Sequence, residues 1–350
     1  MFKKIFLFLV FAFLLAYIAS SFLSAQFLNE KITSSKEVIE FEIKKGQSLS
    51  SVINSLKQKH PQLNFRSGFI KIWTRVKSIH KNIKPGFYNL EPNLSLQAFF
   101  TKIQKGETLL IKVTMPEGKN MYEVAEILES KKLGTKDEFL KVMKDKTWIK
   151  KVLGEPAYSI EGYLFPDTYF FQKALPPQKY LETMVAHFLK VYDEIQDQNL
   201  KKWPREDLVI LASIIEKETG AAFERPEISS VFHNRLRKRM RLETDPTVLY
   251  GILDMTGVMK KNITRKDLRT PNEFNTYTIS GLPKGPIANP GKAALLAAMK
   301  PHQSENLFFV SKNNGTHIFS KNYKDHLKAV KEYQLNAKAR KGKSWRDLKQ

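Results

Sequence analysis

The sequence predicts an α+β protein carried behind an N-terminal transmembrane helix, with a small α+β module ahead of a larger α+β domain. Three observations predict it. An uncharged apolar run opens the chain, and strand-like alternation then interleaves with amphipathic helical stretches over residues 39–112. From Asn120 onward helical periodicity prevails between loops rich in proline, glycine and aromatic residues.

The opening stretch, "MFKKIFLFLVFAFLLAYIASSFLSAQFL", sets Lys3 and Lys4 ahead of a run from Ile5 to about Leu28 that carries no charge. A helix of that length crosses the roughly 30 Å hydrocarbon core of a bilayer. Positive charge before the run and none within it keeps the N-terminus cytoplasmic and exports the rest. Residues 1–28 therefore read as a single-pass anchor in the inner (cytoplasmic) membrane, with the body outside and membrane lipid as a partner. A cleaved signal peptide is the competing reading, and "AYIASSFLSA" loosely offers a cut. Retention is favoured because apolar character resumes at Phe22, Leu23, Phe27 and Leu28, beyond that site.

With 350 residues, 42% of them apolar, the chain can build about two domains with real cores. Its 58 Lys and Arg against 35 Asp and Glu give a formal charge of +23, a balance that points to an anionic neighbour. For an exported body the neighbours are lipid head groups and the carboxylate-bearing peptides of the cell wall. Nucleic acid is set aside as a partner, since no recognisable nucleic-acid motif is present. Cysteine is absent, which excludes thiol nucleophiles and Cys-ligated metal sites and leaves the core to suffice without disulfides.

Residues 29–38 are polar and mixed in charge, so they read as a stalk. The module at 39–112 follows. "EFEI" alternates as a strand, Gly46 breaks it, and Ser48 caps a helix with Leu49, Val52, Ile53 and Leu56 on one face. "GFYNL" repeats the strand, "SLQAFFTKIQKG" the capped helix ended by Gly106, and "TLLIKVTMPEG" is a further strand leading into a turn at Pro116 to Gly118. Such a module serves as a spacer or as a contact with glycan. Residues 113–335 form the larger domain, and the basic residues 336–350 a solvated tail.

Within the larger domain, "EDLVILASIIEKETG" reads as a helix that starts near Glu206 or Asp207 and stops at Gly220. Leu208, Leu211, Ala212 and Ile215 make one stripe, and Val209, Ile210 and Ile214 widen it until little polar face is left. The helix is therefore buried along most of its length. Glu216 and Glu218 close it, and at about 100° per residue they point roughly 160° apart. Two glutamates at a helix end are commonly caps, salt-bridge partners or solvated. Glu218 differs in lying within the apolar arc, on a surface dry enough to keep a carboxyl protonated as a general acid.

Three more segments are unusual for structure alone. "IEGYLFPDTYFF" packs Glu161, Tyr163, Phe165, Asp167 and Tyr169 around one proline, with aromatics suited to the stacking floor of a sugar site. "VFHNRLRKRMRLETDPTVLYG" joins an Asn234–Arg235 pair to a turn that aims Glu243, Thr244 and Asp245 at a cleft, with Thr247 just behind. "NTYTISGLPKGPIANPGKAALLAAMKP" is a Gly/Pro-shaped loop carrying Asn275, Tyr277 and Asn289 directly into a helix.

In this order, "ASIIEKET", "DPTVLYG" and "NTYTISGLPKGPIANPG" closely resemble the YceG-like family of endolytic murein transglycosylases, the MltG proteins. The resemblance covers almost the whole chain. It implies a membrane anchor, a LysM-like module at 39–112 and a catalytic region at 113–335. It also implies cleavage of the β-1,4 bond between N-acetylmuramic acid and N-acetylglucosamine in nascent peptidoglycan, leaving 1,6-anhydromuramyl ends and terminating glycan elongation near the membrane. Glycan strands would be the substrate and the glycan polymerase machinery a partner. The family's catalytic glutamate, the second of "EKE", falls on Glu218, in agreement with the helical phase.

On this reading Glu161, Tyr163, Asp167, Asn234, Glu243, Asp245, Thr247, Asn275, Tyr277 and Asn289 are the candidate substrate-binding side chains. His317, in the late family segment "NNGTHIFS", joins them as a substrate contact or as a structural histidine between strands. The chain departs from the family at His233, where an aliphatic residue is usual, at Glu243, where Gln is common, and at Lys284, where a second proline is expected. No metal or other cofactor is expected, since the histidines lack metal-ligand spacing, and there is neither a P-loop nor a G-x-S-x-G motif. Two rivals stand beside the lytic enzyme: a catalytically silent peptidoglycan-binding division scaffold, and a water-using muramidase in which Glu243 or Asp245 supplies a second carboxylate.

Overall fold

The computed structural model describes residues 2–33, 37–65, 70, 73–74, 82–196, 203–219 and 221–336. The chain divides into two compact units, Met1–Ile111 with Phe170–Ala174 and Lys112–Tyr169 with Leu175–Gln350. The class is mixed α+β, with a single N-terminal apolar helix of membrane-spanning length among the described residues.

That helix, α1 (Phe2–Leu28), contains the 24-residue apolar stretch Ile5–Leu28. At 1.5 Å per residue this stretch is about 36 Å long, enough to cross a bilayer core. Phe6, Leu7, Phe13 and Phe22 stand open on its surface, a placement suited to lipid rather than water. Length and composition fit an anchor and a signal sequence alike.

In the first unit, β1 (Ile39–Ile43) pairs antiparallel with β2 (Gly86–Leu90), Ile39 opposite Leu90 and Ile43 opposite Gly86. Ile39, Phe41 and Ile43 face inward while Glu40 and Glu42 face out, the period-2 pattern of a half-buried strand. The Ser48 side chain accepts the Ser51 N–H to start α2 (Leu49–Lys59), and Ser95 accepts that of Ala98 to start α3 (Leu96–Lys105). Helix α3 ends at Gly106 in the left-handed region, φ 76°. Phe41 stacks on Tyr88 with centroids 5.6 Å apart, and Phe65 meets Phe99 edge-on at 5.5 Å.

The stalk expected from residue 29 is corrected as far as Thr33. Ile32 and Thr33 are each 1% exposed, and Phe27 and Ile32 belong to the first unit's core. The backbone there is bonded too: Ile32 N–H donates to the Leu94 carbonyl at 2.9 Å and Asn64 N–H to that of Ile32 at 3.0 Å. The Thr33 hydroxyl adds a bond to the Glu91 carbonyl at 3.0 Å, so apolar burial and hydrogen bonds together hold this polar stretch to the core. Residues 34–36, the tail from 337 and the stop at Gly220 lie outside the described residues.

Strand β3 (Leu110–Thr114) pairs with β4 (Thr168–Gln172). Of these strands, residues 110–111 and 170–172 fall in the first unit; the second unit is mainly helical: α4 (Met121–Ser130), α5 (Lys136–Met143), α6 (Lys146–Leu153), α7 (Pro177–Ile195), α8 (Arg205–Glu218), α9 (Arg225–Arg237), α10 (Asp245–Thr256), α11 (Arg265–Arg269) and α12 (Lys292–Met299). An antiparallel hairpin of β5 (Phe308–Ser311) and β6 (His317–Ser320) and then α13 (Tyr323–Val330) complete it. Every residue of α8 from Leu208 to Ile215 is buried, and the helix packs against α12, α9 and α10. Glu206 and Asp207 sit in its first turn, where the helix dipole favours negative charge.

Candidate active site

The two glutamates that close α8 part company. Glu216 turns inward to an ion pair with Arg225, Nη2 to Oε1 2.8 Å, and both side chains are under 9% exposed. Its other oxygen accepts the Gly291 N–H at 3.1 Å, at the N-cap of α12. Burial pushes its carboxyl above the usual range, opposed by the Gly291 N–H and by the Arg225 charge. Glu216 is thus a joint between three helices.

Glu218 points instead toward the turn ahead of α10, where the Thr244 hydroxyl donates to its Oε1. Desolvation pushes the Glu218 carboxyl up to about 7, the Thr244 hydrogen bond pulls it down, nearby Asp245 raises it and Arg235 lowers it. The group opens into a cavity of about 310 Å³, lined also by Arg235, Leu242, Glu243, Asp245, Tyr277, Phe309 and His326.

Threonines fix the turn that carries Thr244. Thr244 N–H donates to Thr276 Oγ1 at 3.0 Å, Thr247 and Thr276 hydroxyls meet at 2.9 Å, and Thr247 Oγ1 donates back to the Thr244 carbonyl at 2.7 Å. The preceding residue, Glu243, takes φ 50°, a left-handed conformation that costs a non-glycine residue about 1–3 kcal/mol unless the surroundings impose it. Those surroundings are the Thr276 carbonyl, which accepts the Glu243 N–H at 3.2 Å, and Arg235, whose Nη1 lies 3.4 Å from Glu243 Oε2. Arg235 is itself locked, donating Nε to the Leu307 carbonyl at 2.7 Å and Nη1 to that of Leu242 at 3.0 Å. On the other side Tyr277 donates its hydroxyl to Asp245 Oδ1 at 2.7 Å.

Of the side chains singled out in the sequence, the structure gathers Glu218, Glu243, Asp245 and Tyr277 around this cavity. Thr247 and Asn275 lie beneath it, both 0% exposed; Asn275 Nδ2 serves the carbonyls at the end of α11, bonding that of Thr270 at 2.8 Å. Their part is to hold the loops.

Glu161 is also 0% exposed. It accepts the Met121 N–H at 2.8 Å, the Tyr250 hydroxyl at 2.9 Å and the Asn289 side chain at 3.0 Å, so it ties α4, α10 and the Asn289 loop together inside the core. Burial raises its carboxyl to about 8. Asn289, 1% exposed, completes that knot by accepting the Leu164 N–H at 2.9 Å. The neighbouring Gly162 takes φ 87°, and a Cβ there would lie 2.7 Å from Pro286 and Val209 atoms.

The stacking floor expected in "IEGYLFPDTYFF" is not there. Tyr163 is 0% exposed against Phe188, while Phe165 and Tyr169 are buried too. Asp167 is exposed, 3.4 Å from His187, away from the cavity lining. Asn234 is buried and borders a different, larger groove of about 890 Å³, donating to the Ser304 and Asn306 carbonyls. His317 pairs with buried Glu224, Nδ1 to Oε2 2.8 Å, and its ring meets Phe309 edge-on at 5.4 Å. It stands behind the cavity wall.

Sequence reasoning passed over Phe309 and His326, which the hairpin and α13 bring to the cavity from far along the chain. An aromatic pair at Phe308–Phe309 entering a strand was the only local signal. Among the described residues no group of three or more histidine and carboxylate side chains is placed to hold a metal ion.

Comparison with known proteins agrees with this architecture. The YceG-like family is matched over residues 41–332. An endolytic murein transglycosylase of Bacillus subtilis is 32% identical over 336 residues, spanning 90% of this chain and 91% of the relative. One from Streptococcus pneumoniae is 26% identical, and the match spans 95% of this chain but 65% of that longer protein. The solved structure of a yceG-like protein from Listeria monocytogenes superposes with a TM-score of 0.57 at 30% identity, covering 84% of this chain and 99% of that one. The chain belongs to the YceG-like family.

Proposed function

We propose that this protein is an endolytic murein transglycosylase, cutting the N-acetylmuramic acid–N-acetylglucosamine bond within nascent glycan strands. The observation that carries the reading is Glu218: a carboxyl held near pH 7 at the end of a buried helix, opening into a cleft of sugar-binding size. The names of the relatives support the same activity.

In the proposed reaction protonated Glu218 gives its proton to the bridging oxygen as the bond to muramyl C1 breaks. The resulting carboxylate takes the proton of the muramyl C6 hydroxyl, whose oxygen bonds to C1 and closes the 1,6-anhydro ring. The acetamido group of the substrate steadies the developing positive charge. One group that both gives and takes a proton works best with a pKa near the operating pH. Glu161, Asn275, Asn289 and Thr247 hold the site from within, whereas Glu243, Asp245 and Tyr277 line the cleft and meet the sugar.

Residues 1–28 serve as the anchor in the inner membrane, residues 39–112 as a LysM-like contact with glycan and 113–335 as the catalytic region. An anchored body reaches strands close to the membrane, which suits an enzyme that terminates elongation beside the glycan polymerase machinery.

Glu243 and Asp245 share the cavity with Glu218, and that observation favours a hydrolytic muramidase as the second reading. Mass spectrometry of products from uncrosslinked glycan strands separates the two, using the full chain in detergent. The lytic enzyme yields anhydromuramyl ends, lighter by one water than the reducing ends of a hydrolase. Reducing ends overturn the proposal, and intact strands favour a binding scaffold.

A further inference from the structure

The cavity beside Glu218 has a wall that no motif announced. His326, on α13, lies over the Phe308 ring with centroids 5.1 Å apart and planes 25° off parallel, and it borders the cavity. The Arg235 guanidinium also lies over Phe308, 5.2 Å from the ring centroid. This stack fixes the imidazole in place without a hydrogen bond. Its Nδ1 is buried and has no hydrogen-bond partner, which leaves Nε2 as the nitrogen on the accessible side of the ring.

An imidazole so placed prefers one state. Burial lowers its proton affinity and the Arg235 charge lowers it further, so the ring is neutral near pH 7. A neutral imidazole carries one N–H, and a buried N–H without an acceptor is costly. The proton therefore belongs on Nε2, where an acceptor can reach it from the cavity. A neutral donor in a cleft that also holds Glu218, Glu243 and Asp245 suits an uncharged oxygen acceptor, as a sugar provides.

We propose that His326 is a substrate-binding residue, whose Nε2–H donates to a hydroxyl or acetamido oxygen of the amino-sugar chain bound beside Glu218. The inference rests on the glycan reading of the cleft. It adds a donor from α13 to a site whose other lining residues come from α8, α9, the turn into α10, the loop at Tyr277 and β5.

The test measures binding of uncrosslinked glycan strands by calorimetry, with the full chain in detergent and Glu218→Gln present to stop turnover. His326→Gln keeps a polar atom near the Nε2 position, His326→Asn keeps one near Nδ1, and His326→Leu keeps neither. The expected result is affinity within about threefold of the parent for His326→Gln and on the order of tenfold weaker for the other two. Unchanged affinity in His326→Leu overturns the proposal. So does an equal loss in all three accompanied by lowered melting temperatures, which marks a structural role.

The glycan-cutting reading is scored separately, by cleavage with Glu218 intact. Cleavage together with unchanged His326→Leu binding overturns the inference alone. Binding that responds to His326 without any cleavage overturns the lytic reading alone. No binding by the parent overturns both.

Discussion

The Thr244 hydroxyl donates to the Glu218 carboxyl, and this one bond joins the end of α8 to the turn that opens α10. It favours the ionised form and holds the carboxyl in one orientation, against the desolvation that favours the protonated form. Thr244→Val removes the donor at nearly constant volume. The expected outcome is a kcat/KM on the order of tenfold lower, with the alkaline limb of the pH–rate profile moved upward. Thr244→Ser restores both. An unmoved limb in Thr244→Val would show that the bond does not tune Glu218.

The raised Glu218 carboxyl also contributes to the pH dependence of stability, alongside buried Glu161. Between its ordinary value of 4.5 and about 7 the folded protein holds a proton that the unfolded chain has released. The unfolded state therefore binds fewer protons in that window, and this contribution to stability declines as pH rises through it. Glu218→Gln, which cannot ionise, should melt higher than the parent at pH 8, with the gap closing toward pH 5. Thermal melts at the two pH values check the sign.

Glu216 should respond in the opposite manner to a catalytic group. Removing Glu216 leaves buried Arg225 with the half-exposed Glu117 carboxylate, 3.6 Å away, as its remaining ion-pair partner, so Glu216→Ala costs about 3 kcal/mol, the low end of the range for breaking a buried pair. Urea unfolding measures that loss. The alkaline limb of the pH–rate profile should stay with the Glu218 value in whatever protein remains folded.

Gly162→Ala probes the core behind the site. The new Cβ would sit 2.7 Å from Pro286 and Val209 atoms at a backbone φ of 87°, so overpacking and strain act together. Destabilisation of about 1–3 kcal/mol is expected. It should appear in melting temperature first and in KM only near the unfolding transition.

Local signals carried much of this structure. The caps at Ser48 and Ser95, the stop at Gly106 and the buried stripe of α8 each depend on residues a few positions apart. Helical phase also separated Glu216 from Glu218, because direction around a helix follows from sequence spacing alone. What the local pattern could not supply was which side of the core a polar residue faces. Glu161 and Tyr163 stand in a segment dense with site-like side chains, yet Glu161 is sealed inside by α4, α10 and the Asn289 loop and Tyr163 is buried against Phe188 of α7, all remote in sequence. Ile32 was overlooked for the same reason, since its partners lie near Asn64 and Leu94. Phe309 and His326 reach the cavity through tertiary packing without a motif of their own.

The central claim is that a single carboxyl, Glu218, performs the cut. Its most direct test is the cleavage rate of uncrosslinked glycan strands by the full chain in detergent, beside Glu218→Gln, Asp245→Asn and Glu243→Gln. The account predicts a loss of about 10²–10⁴-fold in Glu218→Gln alone, with the other two variants retaining anhydromuramyl products at rates reduced far less. Equal loss in Asp245→Asn or Glu243→Gln, or undiminished cleavage by Glu218→Gln, would contradict it.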